Sequence, residues 1–77
     1  MQPKIFKLSP NPAQNKLYIS GGATEEVLYE ITTLEGKPIQ SSVVSDHIIY
    51  IENLQVGLYI IKFRTYGGQT ILRFAKE

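Results

Sequence analysis

Apolar and polar residues alternate along most of this chain, and no helical period persists in it. Turn-forming residues cut the alternation into seven segments of strand length: Lys4 to Leu8, Lys16 to Ser20, Glu26 to Thr33, Pro38 to Val43, His47 to Glu52, Leu58 to Thr65 and Gln69 to Ala75. Because side chains in a strand point to opposite faces in turn, each segment sorts into an inner and an outer set. In the third, Val27, Tyr29 and Ile31 point one way and Leu28, Glu30 and Thr32 the other. The same sorting predicts a core of Phe6, Leu8, Leu17, Ile19, Val27, Tyr29, Ile31, Ile49, Ile51, Tyr59, Ile61, Phe63, Leu72 and Phe74.

The breaks between segments carry their own physics. In Ser9-Pro10-Asn11-Pro12 two prolines remove amide donors and hold the residues before them extended. Gly21-Gly22-Ala23-Thr24 reads as a loop and Ser45-Asp46 as a turn. At Leu34-Glu35-Gly36-Lys37 a tight two-residue loop would set Ile39 opposite Thr32 on the outer face. One extra residue, with Gly36 left-handed in a bulge, returns Ile39 to the face of Ile31, and this is the expected form. At Tyr66-Gly67-Gly68-Gln69, a loop of Gly67 and Gly68 pairs Phe63 with Leu72 and Ile61 with Phe74 inside. On the other face it pairs Arg64 with Ile71 and Lys62 with Arg73.

Short strands with such regular turns predict an all-β fold, a seven-stranded antiparallel immunoglobulin-like β-sandwich, with a barrel as the alternative. Leu54-Gln55-Val56-Gly57-Leu58-Tyr59 favours the sandwich. A tyrosine at the start of the penultimate strand, its hydroxyl bonded to backbone a few residues upstream, is a sandwich feature, and Tyr59 has that place. Composition agrees, with 10 Ile, 4 Val, 5 Thr, 5 Tyr and 3 Phe against 3 Ala. At 77 residues the chain is expected to be a single domain, 1–77.

Charge and residue chemistry narrow the function. A net charge of +1 argues against a nucleic-acid partner, and no apolar run approaches a bilayer span, so no membrane insertion is expected. There is no cysteine, hence no disulfide, thiolate metal site or cysteine nucleophile. One His and one Asp, the neighbours His47 and Asp46, cannot converge from an extended segment, and no serine has a base at a useful spacing. No catalytic, cofactor-binding or metal-ligating residue is assigned, and an enzyme is not expected. The glycine pairs precede strands rather than helices and so read as turns, not phosphate cradles. Met1-Gln2-Pro3-Lys4 lacks the apolar stretch of a signal peptide, so a cytosolic chain or a piece of a larger protein is expected.

Read together, the segments resemble one family. Leu8-Ser9-Pro10-Asn11-Pro12 followed by Lys16-Leu17-Tyr18-Ile19, then Tyr29 to Ile39 with its Leu34-Glu35-Gly36-Lys37 turn, then Ile49 to Phe63 with its Leu-x-x-Gly-x-Tyr corner, and the basic closing strand Gln69 to Glu77 are similar to the type A C-terminal sorting domain of the type IX secretion system of Bacteroidota. The motif residues are Pro10, Asn11, Pro12, Gly36, Leu54, Gly57 and Tyr59. Thr33 stands where that family usually has Asp or Asn, Val56 where it has Pro, Ala or Ser, and Arg73 where it has Lys.

The resemblance implies a non-catalytic address label at the C-terminus of a larger secreted protein, with an N-terminal cargo domain in cis. It implies recognition in the periplasm by the type IX translocon and removal at the outer membrane by a sortase-like cysteine protease. The cargo is then released or joined to the cell surface. The candidate recognition residues are Lys62, Arg64, Arg73, Phe74 and Lys76, with Lys62, Arg64 and Arg73 expected to form a basic stripe with Ile60 and Ile71 between them. The closing strand is expected at a sheet edge. The alternative is a fibronectin-like adhesive or carbohydrate-binding accessory module, which needs an outward polar and aromatic patch that the sequence does not locate.

Overall fold

The computed structural model describes residues 6–21, 27–44, 46–65 and 68–77, with Phe6 described by its backbone alone. The expectations for the Phe6 side chain, the Gly22 to Thr24 loop, Ser45, Tyr66 and Gly67 lie outside the described residues. Seven strands form among those described: β1 (Phe6–Ser9), β2 (Lys16–Gly21), β3 (Leu28–Thr32), β4 (Pro38–Val43), β5 (Ile48–Tyr50), β6 (Gly57–Thr65) and β7 (Gly68–Lys76). They make two antiparallel sheets, one of order β1-β2-β5 and one of order β4-β3-β6-β7. This is the predicted immunoglobulin-like sandwich, with β7 at a sheet edge as expected.

The period of two decides what lies between the sheets. Leu17 and Ile19 of β2 and Ile49 of β5 meet Tyr29, Ile31, Tyr59, Ile61, Phe63 and Phe74 from the larger sheet, and all are buried. Val27 and Ile51 are buried beside them, while Leu8 and Leu72 are half-buried against the cluster. Ala13 and Leu54, from connections rather than strands, complete the core, and the alternation rule had no means of selecting them.

The β3–β4 hairpin contains the expected turn and a second feature that reverses its effect. Gly36 is left-handed at φ 94°, Gly36 N–H donates to Thr33 O at 3.0 Å, and Thr33 N–H donates to Lys37 O at 2.9 Å. A side chain there would be strained by the backbone alone, since an added Cβ meets nothing within 4 Å. The register then slips between Ile31 and Thr32, so that Thr32 pairs with Pro38 but Ile31 with Gln40. Ile39 is the extra residue and is exposed, contrary to the expectation that it shares the face of Ile31. Gln40 turns inward instead, donating through Nε2 to Tyr29 Oη at 2.9 Å and to Tyr50 O at 3.0 Å. The exchange partners the hydroxyl of a buried tyrosine, which an isoleucine could not do.

The chain crosses from β4 to the smaller sheet through Asp46 and His47, left-handed at φ 57° and 61°. Asp and His are among the residues that accept this region. Both side chains are exposed, so His47 is a turn residue at the entrance to β5. The closing hairpin corrects a second expectation. Thr65 pairs with Gly68, so Phe63 faces Thr70, Ile61 faces Leu72 and Tyr59 faces Phe74. Lys62 sits opposite Ile71 and Arg73 opposite Ile60, and the expected like-charge pair of Lys62 with Arg73 is absent.

Candidate functional site

Two of the motifs singled out by the sequence, Pro10-Asn11-Pro12 and the Leu54 to Tyr59 corner, meet at one end of the closing strand, while Gly36 sits apart in the β3–β4 turn. Following Pro10-Asn11-Pro12, Ala13 forms a parallel bridge with Lys76. Ala13 N–H donates to Ala75 O at 2.8 Å and Ala13 O accepts from Glu77 N–H at 2.7 Å. Asn11 Oδ1 accepts from Ala75 N–H at 3.0 Å. The segment thus lies as a strap along the outer edge of β7, over residues 75 to 77. On the inner edge the same stretch is held by the start of β6, where Gly57 pairs with Lys76, Leu58 with Ala75 and Tyr59 with Phe74.

The Leu54 to Tyr59 corner braces this arrangement from inside. Leu54 is buried and its N–H donates to Ile51 O at 3.0 Å, closing a turn. Gly57 takes φ 157°, which side-chain-bearing residues rarely adopt. Tyr59 is buried and its hydroxyl donates to Gln55 O at 2.6 Å, as the corner argument predicts. Its ring stacks on that of Phe74 with centroids 5.5 Å apart. Tyr59→Phe keeps the stack and loses the hydroxyl bond, so urea unfolding should show a loss of about 1 kcal/mol. The two turn departures are accommodated locally. Thr33 Oγ1 accepts from Lys37 N–H at 3.1 Å, supplying the side-chain oxygen that Asp or Asn would, and Val56 is exposed.

The five candidate recognition residues divide between two faces. Lys62, Arg64 and Arg73 point outward from the larger sheet, with Lys62 half-buried. Phe74 and Lys76 point the other way and are buried, Phe74 in the core and Lys76 with Nζ donating to Glu77 O at 3.0 Å. The outward face runs in rows across the strands: Val43, Leu28, Arg64 and Gln69; then Ser41, Glu30, Lys62 and Ile71; then Ile60 beside Arg73. Leu28, Val43, Leu58 and Ile71 are exposed on it. A depression of about 260 Å³ opens there between Leu28, Glu30, Ser41, Lys62 and Arg64. The stripe is therefore basic and apolar but carries one acid, Glu30, directly opposite Lys62.

The smaller sheet supplies the aromatic patch the sequence did not locate. Tyr18 and Tyr50 are exposed on its outer face, and Lys16 Nζ lies 5.7 Å from the centre of the Tyr50 ring. Among the described residues no group of three or more His, Asp or Glu side chains could hold a metal ion, and no helix is long and apolar enough to cross a membrane.

A small immunoglobulin-like sandwich whose Pro10-Asn11-Pro12 segment and Leu54 to Tyr59 corner both bear on its last strand is a domain that presents a folded surface and a guarded strand edge. The family model for the secretion system C-terminal sorting domain matches residues 7–77, and the chain belongs to that family, the C-terminal sorting signals of the type IX secretion system. No curated protein and no solved structure matches the chain. Membership makes this a signal that engages the type IX secretion machinery and marks a secreted or cell-surface protein.

Proposed function

We infer that residues 1–77 are one sorting domain at the C-terminus of a larger protein, and that it carries an N-terminal cargo from the periplasm across the outer membrane. A sortase-like cysteine protease then removes the domain, and the cargo is released or attached to the cell surface. The domain performs no chemistry of its own. The observation that carries this reading is the family match over 7–77 together with the meeting of the Pro10-Asn11-Pro12 segment and the Leu54 to Tyr59 corner on β7. The translocon reads the outer face of the larger sheet through Lys62, Arg64 and Arg73.

The test is fusion of the domain to an inert periplasmic reporter in a type IX competent host. The fusion should reach the medium or the cell surface, and the reporter alone should stay in the periplasm. Secretion of the bare reporter would refute the sorting role. Reversing Lys62 would set two carboxylates opposite each other, because Glu30 is its cross-strand neighbour, so Arg64 and Arg73 are the cleaner targets. Arg64→Glu with Arg73→Glu should block export and shift stability by no more than about 0.5 kcal/mol per site. His47→Ala should export normally. Normal export of the double arginine variant would remove the basic face from the mechanism.

A carbohydrate-binding role has one observation in its favour, the exposed Tyr18 and Tyr50. The Lys16 ammonium already lies over the Tyr50 ring, so a stacked sugar would have to displace it.

A further inference from the structure

Among the described residues the two sheets end in four strand edges, and three carry the protections that edges need. β1, described from Phe6 to Ser9, runs into Pro10 and Pro12, and β5 is three residues long. β4 begins at Pro38 and is interrupted by the bulge at Ile39. β7 differs, with nine residues, no proline, and an unbroken register against β6. Among the described residues its cover is the strap, which reaches residues 75 to 77.

The strap also shows which backbone groups face out. Ala75 N–H and O and Glu77 N–H point to the edge, so by alternation those of Arg73, Ile71 and Gln69 do as well. Among the described residues none of these three has a backbone partner on that side. Side chains flanking this open stretch are sorted by face: Ile71 and Arg73 outward with Lys62 and Arg64 behind them, and Leu72, half-buried, inward.

We propose that the open edge of β7 from Gln69 to Arg73 is a strand-addition site for an extended partner segment that alternates acidic and apolar residues. Its backbone extends the larger sheet by one strand next to the strap. Its carboxylates fall on the outer face against Arg73 and the cations behind it, and its apolar side chains cover Leu72. The proposal rests on the sorting-domain reading and assigns a binding mode to it.

A capped synthetic peptide alternating glutamate and valine serves as the probe, with a lysine–valine peptide as its control, each titrated into the full 77-residue chain. The glutamate–valine peptide should bind and slow hydrogen exchange at the amides of Gln69, Ile71 and Arg73. Ile71→Pro removes an outward N–H without touching the β6 ladder, so the chain should keep its fold and bind roughly tenfold or more weakly. Arg73→Glu should move the preference toward the lysine–valine peptide, and it decides the matter if the proline variant fails to fold. Unchanged binding by the folded proline variant, equal binding of both peptides, or a dimer of the chain that Ile71→Pro dissolves would each overturn the proposal. In the export assay, secretion of folded Ile71→Pro with retention of the bare reporter would reject the edge and leave the sorting role standing.

Discussion

Phe74→Ala should remove a large share of the domain's stability. The side chain is 1% exposed, stacks on Tyr59 and lies between the sheets, so its loss should cost about 3 to 5 kcal/mol. A chain of 77 residues has in total about 4 to 12 kcal/mol, at about 0.05 to 0.15 kcal/mol per residue. Urea unfolding of the purified domain measures the loss directly. Any fall in export of a Phe74→Ala fusion would follow from that lost stability and says nothing about recognition. Phe74→Leu separates the two roles, since it keeps most of the apolar volume at about 1 kcal/mol or slightly more. A residue buried at this depth serves the fold, so the leucine variant should be exported normally. Loss of export by a leucine variant that remains folded would make Phe74 a contact residue after all.

The faces of the strands were legible from the sequence because a one-residue shift exposes an entire core set, and the pattern therefore has a single acceptable parity. Registers were not legible to the same degree. Moving the β6–β7 pairing by two residues leaves Phe63, Ile61, Leu72 and Phe74 on the inner face in either case, so hydrophobic alternation is silent on it. Only the turn could decide, and two adjacent glycines, Gly67 and Gly68, offer no choice between two loops. The β3–β4 hairpin shows the converse. Gly36 signalled the first bulge through its conformational freedom, while the second, at Ile39, has no residue signature. Its effect is to turn Gln40 toward the Tyr29 hydroxyl and the Tyr50 carbonyl, and the second of these partners comes within reach only once the sheets are stacked.

The candidate site divides along the same line. Lys62, Arg64 and Arg73 share a face because they belong to outward positions of two paired strands, and alternation is enough to group them. Phe74 and Lys76 occupy positions of the opposite parity, and the same alternation that put Phe74 in the predicted core separates it from the basic face. The strap was out of reach for another reason. Asn11 and Ala75 are 64 positions apart, and Pro10-Asn11-Pro12 read alone is only a turn. Its length and two missing donors forecast a break in the chain but not which edge the break would cover.

That contact supports the other large expected effect. Ala13→Pro removes the donor to Ala75 O and forces extra carbons into a site with no exposure, costing about 2 to 5 kcal/mol from an unpartnered carbonyl and overpacking together. Asn11→Ala removes only a side-chain acceptor from a partly hydrated N–H and should cost about 0.5 to 1.5 kcal/mol. Much of the proline penalty can be relieved by lifting the strap, because the β6–β7 ladder does not depend on it. Hydrogen exchange should therefore accelerate first at the Ala75 and Glu77 amides, by on the order of tenfold for each 1.4 kcal/mol lost. The amides that join β6 to β7 should follow only as global stability falls. Unchanged exchange at Ala75 and Glu77 would mean the strap is not held by these bonds. If they do accelerate, the open edge lengthens from Arg73 toward Glu77, and the proline variant should bind the glutamate–valine peptide more tightly than the parent chain. The strap and an added strand would then be competitors for one edge, with Ala13 setting how much of it a partner can reach.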